Sequence, residues 1–193
     1  MVVIQALEER ILKEGTILPG EILKVGSFLN QQIDTGLLME MGKEISVLFE
    51  KSGITKVLTI ESSGMAVAFA AGFCIGVPVV FAKKHESLNL SDNLLTSRVY
   101  SYTHQKTYDI VVSGEYIAAG DKVLIVDDFL AKGNAINGLI EIVGKAGAEL
   151  AGAAIAIEKG FQGGGDFLRA EGIRVESLAI IDSMSDDSLT FRR

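Results

Sequence analysis

Apolar positions in this chain of 193 residues switch between two periods, and the switches mark the elements. Residues 3–13 carry apolar side chains at helical spacing and stop at Gly15, a helix terminator. Residues 16–33 read as irregular yet are apolar for a loop, with Leu23, Val25, Phe28 and Leu29. Asp34 is placed to cap a helix whose stripe is Leu37, Leu38, Met41, Ile45, Leu48 and Phe49. Short β-branched runs follow at 56–60, 77–82, 123–126, 151–157 and 175–181, the last strand expected. Helical patterns at 65–75 and about 135–145 lie between them. Strands that alternate with helices predict an α/β fold, a doubly wound, mainly parallel sheet. The polar stretch 83–109 breaks the alternation and reads as a flexible functional loop or a plain surface hairpin.

Composition narrows the class. A net charge of −7 argues against a broad basic face for nucleic acid. A single cysteine, Cys74, excludes an internal disulfide and a cysteine-based metal site, and its apolar surroundings predict a buried, inert thiol. The longest apolar stretch, 65–82, is interrupted by Gly72, Gly76 and Pro78, so it reads as helix then strand and not as a membrane span. The first residues lack the basic-then-apolar order of a signal peptide, so a cytoplasmic protein without membrane or nucleic-acid partners is expected. No linker or repeat divides the chain, which predicts one domain over 1–193.

Candidate chemistry sits at three strand ends. The run 123–126 meets the carboxylates Asp127 and Asp128, then the loop Ala131, Lys132, Gly133, Asn134 and Ala135, then a helix. Helix starts present unpaired amides with partial positive charge and suit a phosphate. Carboxylates accept hydrogen bonds and suit sugar hydroxyls. The second strand end is Glu61, Ser62, Ser63 and Gly64; the third carries Lys83 and Lys84. Ligands in open α/β sheets lie beyond the carboxyl ends of the strands, so the three loops can share one rim and receive a phosphorylated sugar. The bland alternatives are a helix-capping acid pair and two solvated lysines. Gly163, Gly164 and Gly165 lack nucleotide-loop spacing and read as a flexible turn.

The segment 123–135 resembles the phosphoribosyl diphosphate (PRPP) motif of the type I phosphoribosyltransferases. Residues 1–161 are similar, in order, to the xanthine enzymes of bacterial purine salvage. The resemblance implies that family's fold, with a flexible loop over about 83–109 and a small hood from about 1–35 and 159–193. It implies transfer of a 5-phosphoribosyl group from PRPP to xanthine, giving xanthosine 5'-monophosphate and diphosphate. Asp127 and Asp128 then lie at the ribose hydroxyls as the catalytic pair. Residues 131–135 take the 5-phosphate, although commoner members carry threonines where this chain has Lys132 and Ala135. Lys132 either adds charge there or faces solvent. Glu61 through Gly64 hold the diphosphate with Lys83 and Lys84, and Ser101 and Tyr102 belong to the closing loop. Leu23, Asn30 and Lys159 match the base contacts. The donor-only ammonium of Lys159 favours an oxopurine over adenine. Mg²⁺ is implied as a companion of PRPP, bound through the substrate and water with no dedicated protein metal site. A homodimer is implied too, with the apolar segment 16–33 as a candidate cover for its interface. A phosphoribosyltransferase for guanine, hypoxanthine or adenine, and a non-catalytic PRPP-sensing regulator, remain as alternatives.

Overall fold

A computed structural model describes residues 2–85, 93–101 and 106–193. Among the described residues the chain runs α1 (Val2–Glu14), β1 (Thr16–Leu18), β2 (Ile22–Lys24), α2 (Thr35–Leu48), β3 (Lys56–Ile60), α3 (Gly64–Ile75) and β4 (Val79–His85). It continues with β5 (Leu94–Ser101), β6 (Lys106–Ser113), β7 (Lys122–Leu130), α4 (Asn134–Lys145), β8 (Glu149–Lys159), α5 (Gly164–Ala170), β9 (Val175–Met184) and β10 (Leu189–Phe191). The main sheet has the order β10-β9-β8-β7-β3-β4-β6-β5. Its centre, β9 through β4, is parallel, and both flanks are antiparallel.

Each sheet face carries its own core, as expected when helices cover both sides. Alternation along the strands does the sorting: Leu124 and Val126 of β7 face α1, α2 and α3, while Val123 and Ile125 face α4. α4 presents Ile136, Leu139, Ile142 and Val143 as one buried stripe. The Asp34 carboxylate accepts from the Leu37 amide at 3.1 Å and caps α2, which holds its pKa below the ordinary range.

The structure revises the sequence reading at several places. The strand at 123–126 does not stop at the acid pair; β7 continues through it to Leu130, paired with β8 to Glu158. Much of 83–109 is strand: β4 reaches His85, and β5 and β6 form an antiparallel hairpin that buries Val99 and Ile110. Residues 16–33 contain a small hairpin and a π-helical turn, Gly26–Asn30. The apolar side chains Leu23, Val25, Phe28 and Leu29 fill the chain's own core, while Ile22 and Ile33 of the same segment stay exposed, at 40% and 43%. The strand at 175–181 runs on to Met184 and is not the last, because β10 returns antiparallel to it. Cys74 is partly exposed and not buried.

The glycine run is a further correction. Gly164 and Gly165 are buried in the first turn of α5. A Cβ on Gly164 would meet the Ala131 carbonyl oxygen at 2.3 Å, and one on Gly165 would meet Glu158 Oε1 at 2.0 Å. These glycines allow close approach, which the sequence cannot distinguish from a flexible turn. Gly42 in α2 serves the same purpose toward α3, since a Cβ there would come within 2.6 Å of the Ala70 main chain. Gly42→Ala gains about 1 kcal/mol of helix propensity but overpacks a rigid contact at a cost of about 1–3 kcal/mol. A net loss of up to about 2 kcal/mol is expected in urea unfolding; a stabilised variant would refute this account of the α2–α3 contact.

Candidate active site

β7, β3 and β4 are parallel neighbours, so their carboxyl ends and the loops beyond them converge on one rim. Asp127 and Asp128 are 5% and 6% exposed there. Asp127 Oδ1 accepts from the Asp128 amide at 3.0 Å, and Asp128 Oδ1 accepts from the Ser63 hydroxyl at 3.0 Å. Ser63 thus ties the loop after β3 to β7. Glu61 ties the same loop to β4, because its Oε1 accepts from the Lys84 amide at 2.8 Å. The peptide between Glu61 and Ser62 is cis. Gly64 must be glycine, since a Cβ would lie 2.4 Å from Asp127 Oδ1 and 2.6 Å from Thr59 Oγ1.

Burial raises the Asp127 pKa well above the ordinary carboxyl value of 3.8, and the neighbouring Asp128 charge adds to the rise. The Asp128 amide and the Lys84 charge oppose it. Lys84 lies with its ammonium 5.4 Å from the Tyr108 ring centroid. Burial, then the Asp127 charge, raise the Tyr108 phenol pKa. Lys83 is turned the other way by the pleat of β4. It lines a separate groove of about 570 Å³ with Phe81, Leu94, Val111 and Tyr116. The strand pairing of 83–85 with β6 therefore brings Lys84 to the rim and leaves Lys83 outside it.

Beyond β7, Gly133 adopts φ +86°, ψ 2°, a left-handed conformation that swings the chain into α4. Residues 131–135 line a cleft of about 160 Å³ with Tyr100, Tyr108 and Phe129. α5 braces this loop through the Gly164 amide, which donates to the Ala131 carbonyl at 3.1 Å. The Asn134 amide group is engaged with the Tyr100 carbonyl at 2.9 Å, so this residue offers the cleft its main chain. Lys132 is exposed. Ser101 ends β5, and Tyr102 lies outside the described residues.

At the end of β8, the Lys159 ammonium donates to the Glu21 carbonyl at 2.6 Å and lies 5.8 Å from the Phe129 ring centroid. Burial lowers its pKa, and the Glu21 charge works against that. Gln162 donates to the Glu21 carboxylate at 2.7 Å, so the N-terminal hairpin is fastened to the end of β8. Asn30 is exposed at the end of the π-helical turn, whereas Leu23 is buried in the core. Glu158, next to Lys159, is fully buried and receives both Arg169 Nη1 and Nη2, at 2.9 and 2.7 Å, with Ser177 Oγ beside them. Sequence reasoning missed Phe129, Tyr108 and Glu158. Phe129 directly follows the acid pair and could have been noted; Tyr108 depends on hairpin register, and Glu158 on a partner ten or more positions away.

A family model described as the phosphoribosyl transferase domain matches residues 33–165. The chain belongs to the phosphoribosyltransferase family. It is 53% identical over 185 residues to a xanthine phosphoribosyltransferase of Listeria innocua, covering 96% of each chain. It is 50% identical over 190 residues to the enzyme of that name from Lachnoclostridium phytofermentans, covering 97% of this chain and 98% of the relative. Among solved structures, adenine phosphoribosyltransferase from Rhodothermus marinus superposes with a TM-score of 0.75 at 23% identity, over 93% of this chain and 99% of that one. The Giardia lamblia enzyme complexed with 9-deazaadenine gives 0.75 at 21% identity, over 92% and 98%. At those identities the likeness concerns the fold.

The raised Asp127 pKa has a signed consequence. The native state keeps this proton to higher pH than the unfolded chain does. Stability from this group is therefore greatest at or below the ordinary carboxyl value of 3.8 and falls as pH rises toward the elevated native value. Asp127→Asn removes that fall and gains stability over the parent at neutral pH, measured by urea unfolding from pH 4 to 8. An identical decline in both proteins would contradict the assignment.

Proposed function

We propose that this protein transfers the 5-phosphoribosyl group of PRPP to xanthine, forming xanthosine 5'-monophosphate and diphosphate in purine salvage. The observation that carries the reading is the convergence of the buried acid pair, the Glu61–Ser63 turn and the glycine loop on one sheet rim, in a chain about half identical to xanthine phosphoribosyltransferases along nearly its whole length.

In this reading Asp127 and Asp128 accept from the ribose hydroxyls and fix the sugar. The amides at residues 131–135 and the start of α4 take the 5-phosphate. The turn at Glu61–Gly64, beside Lys84, takes the diphosphate as it leaves. Purine N9 attacks C1 while the diphosphate departs, so the protein's part is orientation and charge stabilisation at C1 and at the leaving oxygen. Among the described residues, no group of three or more His, Cys, Asp and Glu forms a metal cage. A magnesium ion carried by the diphosphate and water would neutralise the leaving charge, with the hard carboxylate oxygens of Asp127 and Asp128 on the same rim. Lys83 is not assigned to the diphosphate, given its place in the outer groove. Ser101 and Tyr102 are retained as parts of a segment that closes over PRPP.

For the base, Lys159 supplies a donor to an oxopurine carbonyl, Asn30 a mixed donor and acceptor, and Phe129 a ring beside the ammonium. Leu23 acts from the core beneath the N-terminal hairpin. The Glu21 carbonyl takes one of the ammonium's three N–H donors, which leaves another for a carbonyl of the base. A homodimer completes the reading. The exposed rings of Phe69 and Phe73 on α3, 61% and 69% accessible and stacked at 6.4 Å, offer it an apolar face.

Three measurements test this. Incubation of PRPP with xanthine, guanine, hypoxanthine and adenine, read as diphosphate release, is expected to show fastest turnover with xanthine; no release with any purine would end the proposal. Asp127→Asn combined with Asp128→Asn is expected to abolish transfer while the protein stays folded by circular dichroism, and full activity in it would remove the pair from catalysis. Lys159→Ala is expected to raise KM for xanthine by roughly tenfold or more and to move KM for PRPP far less. The reverse order would take Lys159 out of the base site.

A further inference from the structure

Thr59 lies on β3, two residues before the turn that carries Glu61. Its residue is wholly buried, and its Oγ1 makes no hydrogen bond to any described group. Burying a hydroxyl without a partner is unfavourable and rare in folded proteins. A valine would fill the same space in a strand without that penalty. The orphan is aimed at the site: a Cβ built on Gly64 would touch Thr59 Oγ1 at 2.6 Å and Asp127 Oδ1 at 2.4 Å, so both oxygens border the same notch at the foot of α3.

We propose that Thr59 is a positioning residue for Asp127, its hydroxyl donating to the inner carboxylate oxygen once PRPP engages the acid pair. The inference rests on the reading of Asp127 as a ribose-hydroxyl acceptor. Among the described residues, the groups facing Asp127 are Asp128 beside it, Lys84 from β4 and Tyr108 from β6. Its Oδ1 already accepts the Asp128 amide. A carboxylate oxygen has room for a second donor. Ribose hydroxyls drawn to the outer edge of the pair fix the carboxylate's orientation and exclude the remaining water. A second inner donor then has its greatest effect, because desolvated charge is costly without hydrogen bonds. Gly64 puts no side chain into the notch that both oxygens border, so a small settling of the turn after β3 brings the two together.

The experiment compares wild type, Thr59→Val, Thr59→Ala and Thr59→Ser by steady-state kinetics and thermal unfolding without ligand. Thr59→Val is expected to unfold at the same temperature or higher, since it removes an unpaired polar atom. It is expected to raise KM for PRPP roughly tenfold, the effect of one hydrogen bond to a charged group, with KM for xanthine nearly unchanged. Thr59→Ser is expected to restore the PRPP value. Should Thr59→Val fold poorly, Thr59→Ala carries the same kinetic comparison. Wild-type KM for PRPP in a folded variant lacking the hydroxyl, or no recovery in a folded Thr59→Ser, overturns the proposal while leaving the transferase reading intact. A wild-type protein that neither binds nor consumes PRPP overturns both.

Discussion

Two adjacent carboxylates held almost out of water are the constraint around which this fold is arranged. Charge without solvent is tolerated only where neighbours supply hydrogen bonds or opposite charge. Here one bond comes from the Asp128 amide, one from Ser63 across the β3 turn, and the opposing charge from Lys84 on β4. Each partner belongs to a different strand end. The order β7-β3-β4 is therefore needed for the acids to be stable as well as for the site to exist. The compensation is partial, because Asp127 retains a raised pKa. In the proposed function the ribose hydroxyls would complete it, supplying the donors that the fold leaves short.

The second dependence is on close approach. α5 is braced on the loop after β7 through the Gly164 amide, and Gly165 admits the Glu158 carboxylate against the helix start. Glu158 is held there by Arg169 of the same helix and by Ser177 of β9, and Arg192 from the C-terminal segment reaches Asp166 at 2.8 Å. The same strand carries Lys159 as its next residue. A chain of packed and paired groups thus connects the glycine loop after β7 to the ammonium of Lys159 under the N-terminal hairpin. The two ends of the site are set by one short helix.

Much of the fold was legible because it is encoded locally. The period of Leu37, Leu38, Met41 and Ile45 and the cap at Asp34 define α2, and the β-branched runs locate the central strands. The acid pair and the glycine loop were legible for the same reason: their spacing is contiguous. What escaped depends on register and on distant partners. Lys83 and Lys84 are neighbours in sequence, but pleating sends them to opposite faces. Tyr108 enters the site only because β6 pairs antiparallel with β4, placing Ile110 opposite Lys84. The glycines at 164 and 165 look like flexibility unless Ala131 and Glu158 are known to be behind them. The apolar segment 16–33 looked like an uncovered surface because its partners, including Leu7 and Ile11, lie on another element.

In the proposed function, specificity follows from how the end of the site at Lys159 is prepared. Lys159 is partly desolvated, with its ammonium beside the Phe129 ring and its proton directed at a main-chain carbonyl. A donor-only group so placed rewards an oxygen acceptor and penalises an amino group, which would face it with another donor. Because the Glu21 carbonyl takes only one of the three N–H donors, in that reading a base carbonyl adds a bond without displacing the first. An oxopurine carbonyl would then meet a waiting donor, while the amino group of adenine would bring N–H against N–H and leave that donor unpaired. An unpaired donor costs more as burial deepens, so in the proposed reading the N-terminal hairpin, by shielding Lys159 from water, sharpens selection.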